Sequence, residues 1–537
     1  MLFNSPLYGV FLVGTWATFW LLGPRRRSAR ALFLVAASYG FYFYGTWDAA
    51  QDESLPLTAP RWALLCLGVI FAGSTIDFLV GRALGRVTRP AARNALLAVS
   101  LAYYLGVLAF FKYWNFAAES IASLAAAMGA HLSVARLRLV LPFGISFFTF
   151  ETMSYTIDVW RREIEPSRRY LDYLLFVCFF PHLVAGPIVR PAQMLPQLAA
   201  APRADAEMQA RGLWRIATGL AKKVAIGDYL AQAIVNRVFA TPERFTALEV
   251  LIATYAYAFQ IYADFSGYSD VAIGSAALFG YVLPENFAAP YLSSDLQEFW
   301  RRWHISLSTW LRDYLYKPLG GSRSGAVRTY RNLMITMVLG GLWHGASWTF
   351  VVWGALHGAA LAVTRMWQRA RRARRVRQEA LAAGAAGAPY AAEAWGAPDT
   401  SGAAEAAGTS GAPEVARTSG APASSRPWTR WVATIATFHF VCLAWIFFRA
   451  PSFDEAVLAL RQLVGGRWTI EHIAPDVALV VAAAALLHVS PVAWKDRLRD
   501  AFVRTPAVVQ GLVLAAAAVA LHLVAGAKPA PFVYGQF

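Results

Sequence analysis

Residues 286–321 read NFAAPYLSSDLQEFWRRWHISLSTWLRDYLYKPLGG, and after a short basic link residues 332–358 read NLMITMVLGGLWHGASWTFVVWGALHG. The first run carries a helix-start signal, Ser294 or Asp295 with Gln297 or Glu298 three residues on. Trp300, Trp303, His304, Leu307, Leu311 and Tyr314 follow at helical spacing and predict one apolar face, which Pro318, Gly320 and Gly321 bring to an end. The second run is apolar enough to lie in lipid, yet it contains His344. Ionisable groups in such surroundings are costly and usually mark function.

The rest of the chain reads as the scaffold for these two runs. Of its 537 residues, 57% are hydrophobic and 15% charged, a composition unlike that of a soluble domain. Apolar runs long enough to cross ~30 Å of hydrocarbon recur throughout, without the period-2 pattern of a barrel. The expected fold is an all-α polytopic membrane protein with roughly 10–13 membrane helices, short or re-entrant ones included. The formal charge of +17 invites a nucleic-acid reading, but the arginines cluster at the ends of apolar runs, as the positive-inside rule requires. Arg25–Arg27, Arg161, Arg162, Arg168, Arg169 and the run Arg365–Arg377 thus mark cytoplasmic loops, and the N-terminus is expected outside. Cys66, Cys178 and Cys442 each sit alone in an apolar run, which argues against a disulfide framework or a metal motif.

Four segments are expected: N-terminal membrane helices at 1–138, a core at 139–368, a basic then low-complexity cytoplasmic insert at 369–428, and C-terminal membrane helices at 429–537. The Ala/Gly/Ser/Pro-rich part, 379–427, has no core-forming pattern. Gly186, Pro187 and Pro191 in VAGPIVRP predict a bent or re-entrant piece near His182, and 246–282 reads as one long kinked helix or two short ones.

Taken alone, His304 reads as a core histidine bonded to a backbone carbonyl. His344 is harder to explain that way. A helix entering the bilayer at Asn332 would carry it ~18 Å deep, and Gly340, Gly341 and Gly345 would leave open volume beside the ring, unless they serve only close helix packing. A dry site favours the neutral imidazole that a general base needs. Arg301, Arg302, Arg312, Lys317, Arg323, Arg328 and Arg331 are in the main inside-loop charges, and a share of them would form a phosphate-binding mouth for a cytosolic donor. Trp303, Trp343 and Asp313 join Arg301 and Arg302 as candidate substrate contacts, with His182 as a further lining residue and His357 as a structural neighbour. Neither HExxH, a CxxC cluster, a Walker loop nor GxSxG occurs, which argues against a catalytic metal, ATP hydrolysis and a serine hydrolase.

LPFGISFFTFETMSYTIDVWR (141–161), FFPHLVAGPIVR (179–190), YADFSGYSDVAIG (262–274) and the two opening runs resemble the membrane-bound O-acyltransferase family. They are most similar to its bacterial polysaccharide branch, that of the alginate O-acetyltransferase membrane subunit and the teichoic acid D-alanyl transferase. The resemblance implies a helical bundle around a central tunnel in the bacterial inner membrane, fed by a cytosolic thioester such as acetyl-CoA, with no permanently bound cofactor. It places the family's near-invariant histidine on His344 and its second, more variable polar position on His304. It also implies an extracytoplasmic polysaccharide acceptor and an exported SGNH-type acetyltransferase partner. Two alternatives stand: a D-alanyl or longer-acyl transferase fed by a carrier protein, and a glycan or lipid transporter with the histidines as a proton relay.

Overall fold

The computed structural model describes residues 3–51, 55, 57–200, 202–323, 325–382 and 427–524, so most of the low-complexity insert lies outside the described residues. Every regular element among them is helical. The chain divides into two compact units, one of residues 1–287 with 457–537 and one of Ala288–Ala456.

The larger unit begins with α1 (Pro6–Leu21), α2 (Arg27–Ala49), α3 (Ala59–Leu84) and α4 (Pro90–Leu108), the last continuing through a π-turn into α5 (Trp114–Ala127). α6 (Ile145–Arg161) and α7 (Tyr170–Cys178) follow, then a bent segment of α8 (Phe180–Leu183) and α9 (Pro191–Ala199) where Gly186 and Pro187 predict it. α10 (Ala206–Ala221) runs through two π-turns into α11 (Asn236–Ala240), and α12 (Ala247–Leu278) is one continuous helix opened by a Thr246–Glu249 capping box. α13 (Leu296–Arg302), α14 (Ile305–Leu311), α15 (Ala326–His344), α16 (Trp348–Ala382) and α17 (Pro427–Arg449) build the smaller unit. The chain ends with α18 (Phe453–Gly465), α19 (Pro475–Val489), α20 (Val492–Arg504) and α21 (Ala507–Val524).

Among the described residues, four stretches are long and apolar enough to cross a membrane, Ala59–Leu84, Pro90–Ala127, Trp428–Arg449 and Ala507–Val524, or five if α19 and α20, bent by 89°, form one broken span. With the family evidence given below, this makes the chain a multi-pass membrane protein. Other helices that the apolar runs predict are shorter or hold buried charge. α12 is the clearest case, with Glu249 and Asp264 buried along it. Large apolar side chains such as Leu21 and Leu523, 85% and 79% exposed, are those a bilayer would cover.

In the larger unit, α10 and α12 meet through two glycine pairs. A Cβ on Gly219 would stand 2.7 Å from the Gly267 carbonyl, and one on Gly212 would stand 2.9 Å from that of Gly274. The pairs are seven residues apart on both helices, so small residues line one seam and let the backbones close. Asp270 lies between them and takes Arg215 at 2.9 Å and Lys222 at 2.5 Å, while Lys223 sits 2.6 Å from both Asp228 and Asp264. Burying Lys223, Asp228 and Asp264 is tolerable because each is paired. Arg93 spans two helix ends, donating to Leu84 O at 2.5 Å and Trp160 O at 2.7 Å and so satisfying carbonyls that α3 and α6 leave open.

In the smaller unit, α15 and α16 form a hairpin across Gly345–Ser347. A Cβ on Gly341 would run into the Phe350 carbonyl oxygen, and one on Gly354 into that of Met337. A Cβ on Gly358 would lie 3.0 Å from Met334 Sδ. The glycines around His344 therefore hold two backbones together. The open volume that the sequence allows at Gly345 is taken by the Phe350 ring, and that at Gly340 by Leu311, 3.1 Å from a Cβ built there.

Candidate active site

The helix predicted to run from Ser294 or Asp295 to the stop at Pro318 is two helices, Leu296–Arg302 and Ile305–Leu311, the second continuing into a π-turn at Arg312–Tyr316. Asp295 caps the first, accepting from Glu298 N at 2.8 Å, and Glu298 reaches back to the amide and hydroxyl of Ser294 at 2.8 Å each. That is the reciprocal cap read from the sequence, shared between Ser294 and Asp295. The chain then breaks at Trp303, and His304 adopts a left-handed backbone (φ 42°, ψ 57°) as the residue that caps α14. Such a conformation costs a non-glycine residue ~1–2 kcal/mol and is typically held at functional corners. The periodicity could not show the break, because Trp303 and His304 remain buried on both sides of it.

His304 is fully buried, with Nδ1 3.4 Å from the Ser306 hydroxyl. Burial pushes its pKa down from 6.5 to about 3, so it is neutral across the physiological range. His344 is the last residue of α15 and stands at the hairpin turn, where the sequence predicts a mid-helix position. It is 4% exposed and is walled by the rings of Trp343 at 4.9 Å, Trp353 at 5.2 Å and Phe448 at 5.2 Å. Trp343 also lies 6.2 Å from the His304 ring. One indole thus touches both imidazoles, and the two histidines picked from sequence share a wall.

The other candidates divide. Trp303 is buried between Phe299 (5.7 Å, stacked) and Trp445 (5.1 Å), so it packs the wall. Arg302 is tied down by Glu298 at 2.8 Å and the Ala288 carbonyl at 3.2 Å, while Arg301 is exposed. Asp313 is held by Arg312 at 3.0 Å and Lys317 at 2.9 Å; burial raises its pKa, but these cations win and keep it below the usual carboxylate range. His182 belongs to the larger unit. There Nδ1 lies 3.0 Å from Glu151 Oε1, an ion-pair distance off the line of a good hydrogen bond, and Glu151 accepts from Val189 N at 2.9 Å. That contact pins the Gly186–Pro187 bend to α6.

Sequence reasoning missed α17 as a supplier of site residues. Trp445 stacks on Trp353 at 5.7 Å, and Phe448 faces both Trp353 and His344. The only signal was the aromatic run AWIFFR at 444–449, which reads equally well as a lipid-facing span.

The family model described as MBOAT, the membrane-bound O-acyltransferase family, matches residues 80–387, more than half of the chain. The chain is 40% identical over 366 residues to the probable alginate O-acetylase AlgI of Azotobacter vinelandii, covering 68% of this chain and 69% of that one. It is 31% identical over 494 residues to the peptidoglycan O-acetyltransferase of Helicobacter pylori, covering 87% and 80%. It is also 30% identical over 242 residues to the teichoic acid D-alanyltransferase of Streptococcus thermophilus, covering 43% and 58%. The matched span includes both histidines and the whole α15–α16 hairpin, and it replaces the transporter alternative with an enzyme. The chain belongs to the membrane-bound O-acyltransferase family and is an O-acyltransferase.

Proposed function

We propose that this enzyme moves an acetyl group from a cytosolic thioester, acetyl-CoA or an acetylated carrier, across the membrane toward an extracytoplasmic polysaccharide. The observation that carries the reading is the shared wall: His304 and His344, both buried, have the Trp343 indole as a common neighbour, at 6.2 and 4.9 Å between ring centroids. His344 takes the proton of the acceptor hydroxyl; the oxygen attacks the thioester carbonyl, and the thiolate leaves with that proton. Transient acylation of His344 itself is the other form of the same chemistry, with the ring released when the acceptor oxygen attacks. His304, neutral and fixed by its corner, orients the donor beside Trp343. Trp303 and Arg302 hold that corner, and Arg301 faces outward as a contact for the donor's phosphates.

The names of the relatives support acetyl transfer to a glycan, since two of them are an alginate O-acetylase and a peptidoglycan O-acetyltransferase. An exported SGNH-type partner completing the transfer fits a membrane enzyme whose acceptor is outside. The test is the His344→Ala variant, in membranes supplied with labelled acetyl-CoA. Glycan acetylation should fall to background while the protein stays inserted at wild-type level; retained acetylation rejects His344. Competition between labelled acetyl-CoA and a charged carrier protein separates the two donors.

A further inference from the structure

The junction where α1 turns into α2 gathers positive charge that the fold does not balance. Arg25, Arg26 and Arg27 lead into α2, Arg30 stands in its first turn, and Arg169 donates to the Ser28 hydroxyl at 2.8 Å. Arg26 caps the helix without a side-chain hydrogen bond, and the first turn holds no acidic residue. A helix N-terminus already carries about half a positive charge, and Ser, Asp or Glu usually stands there; here arginines do. Asp172 supplies a carboxylate, which Arg27 takes at 2.6 Å. Arg30 is left over. It is 3% exposed, its Nε and Nη1 have no hydrogen-bond partner, and among the described residues no carboxylate pairs with it. Arg27 Nε is buried and without a partner as well. The contacts Arg30 does make are weak ones: Nη2 lies 3.5 Å from the Trp20 carbonyl, and the guanidinium lies 4.7 Å from the Phe19 ring centroid and 4.9 Å from that of Trp20. They hold the group beside the α1–α2 turn.

A buried carboxyl or lysine without a partner can discharge by gaining or losing a proton, but a guanidinium cannot. The junction therefore calls for an anion. Arg27 and Arg30 are neighbours on one helix face, and their unused N–H groups beside a helix start suit a phosphate, whose oxygens accept from several donors at once. Asp172 and the Leu198 carbonyl engage only Nη2 of Arg27, and that side chain is 32% exposed, so the pair can be reached from the surface. The surroundings say which phosphate fits. Leu21, 85% exposed, stands next to the exposed Arg25 and Arg26, which is the apolar-to-basic order of a membrane–water boundary. We propose that Arg27, Arg30 and the start of α2 bind the phosphodiester of an anionic phospholipid, in the leaflet that Arg25–Arg27 face. Arg25 and Arg26 add attraction at longer range. All of these residues belong to the larger unit and none is assigned to acyl transfer, so the site stands or falls apart from that reading.

The experiment places the full chain in nanodiscs of phosphatidylcholine, with or without phosphatidylglycerol. It reads Tm, and by mass spectrometry the phosphatidylglycerol that stays on the chain after transfer to detergent. Wild type should retain phosphatidylglycerol and melt higher in its presence. Arg30→Met keeps the packing of the stem and deletes the cation. In phosphatidylcholine alone its Tm should hold or rise, because an unpaired buried charge is gone, while retention of phosphatidylglycerol weakens about tenfold. Arg30→Lys keeps the charge without the fork and should fall between the two; it carries the same reading if Arg30→Met does not insert. Arg372→Gln, at the exposed basic end of α16, should behave as wild type, which separates a built site from general attraction. A wild-type Tm indifferent to phosphatidylglycerol overturns the proposal, as does retention unchanged in the Arg30 variants or lost equally in Arg372→Gln. An equal rise in Tm from inorganic phosphate added to phosphatidylcholine discs shows a free-phosphate site and overturns the lipid assignment.

Discussion

His304 combines full burial with a left-handed backbone, and both have measurable consequences. Its folded-state pKa of about 3 lies below the unfolded value of 6.5. Between these values the unfolded chain binds a proton that the folded chain refuses, so this residue's contribution is level above pH 6.5 and is lost as pH falls from 6.5 toward 3. His304→Asn removes the titration and keeps a residue that tolerates φ near 42°. The expected outcome is a flatter fall of Tm between pH 6.5 and 4 than in wild type; an identical acid slope would show that His304 does not carry it. His304→Ala should lower Tm further at pH 7, because alanine pays the left-handed cost without a compensating local hydrogen bond, by ~1–2 kcal/mol. At this scale the sequence was informative about identity and poor about posture. An imidazole in an apolar run is visible as an anomaly, but a positive φ at a helix break depends on partners far along the chain. One of these is the pairing of Ala288 N with Arg302 O at 3.0 Å that closes the corner from the other side.

The α15–α16 hairpin is the element on which His344 depends, and glycine sets its geometry. A Cβ on Gly354 would meet the Met337 carbonyl oxygen and, at 3.0 Å, Val338 Cα, both main-chain atoms that cannot rotate away. Gly354→Ala should therefore spread the hairpin, at the ~1–3 kcal/mol typical of overpacking, and reduce transfer although both histidines remain. Gly68→Ala is the matched control, since nothing lies within 4 Å of its Cβ position in α3 and alanine is the better helix former by up to ~1 kcal/mol. Its Tm should hold or rise. If Gly354→Ala also leaves Tm and transfer unchanged, the seam is not what positions His344. Elements opened by local chemistry were legible: the Ser294–Asp295–Glu298 cap and the bend at Gly186–Pro187 each follow from residues close together in the chain. Features made by tertiary contact were not. A glycine beside a histidine reads as space or as a seam with equal force until the facing helix is known, and here the facing helix brings the Phe350 ring into the space at Gly345. The pairing of Lys223 with Asp264 was hidden in the same way, since those residues come together only when α12 packs against the π-turn after α10.

At the scale of the whole molecule, the reading of the reaction depends on which face each loop occupies. We propose from the arginine-rich ends that Arg25–Arg27 and the Arg365–Arg377 stretch of α16 lie in the cytoplasm and the acidic loop near Asp48 outside. The length of α16 lets its basic end leave the bilayer on whichever side it faces. Its 35 residues would extend ~52 Å at 1.5 Å per residue, well beyond ~30 Å of hydrocarbon, and its exposed arginines all lie at the C-terminal end that must emerge. The three cysteines, Cys66, Cys178 and Cys442, are buried, so an introduced surface cysteine becomes the reactive one in the native chain. In intact cells, a membrane-impermeant maleimide should label a Gln51→Cys variant directly and an Arg372→Cys variant only after permeabilisation. Both positions are exposed, so accessibility reports the side of the membrane and not packing. The reverse pattern would put the basic end of α16 outside. A cytosolic thioester would then face the acidic loops, and the direction of acyl transfer proposed here would have to be inverted along with the topology.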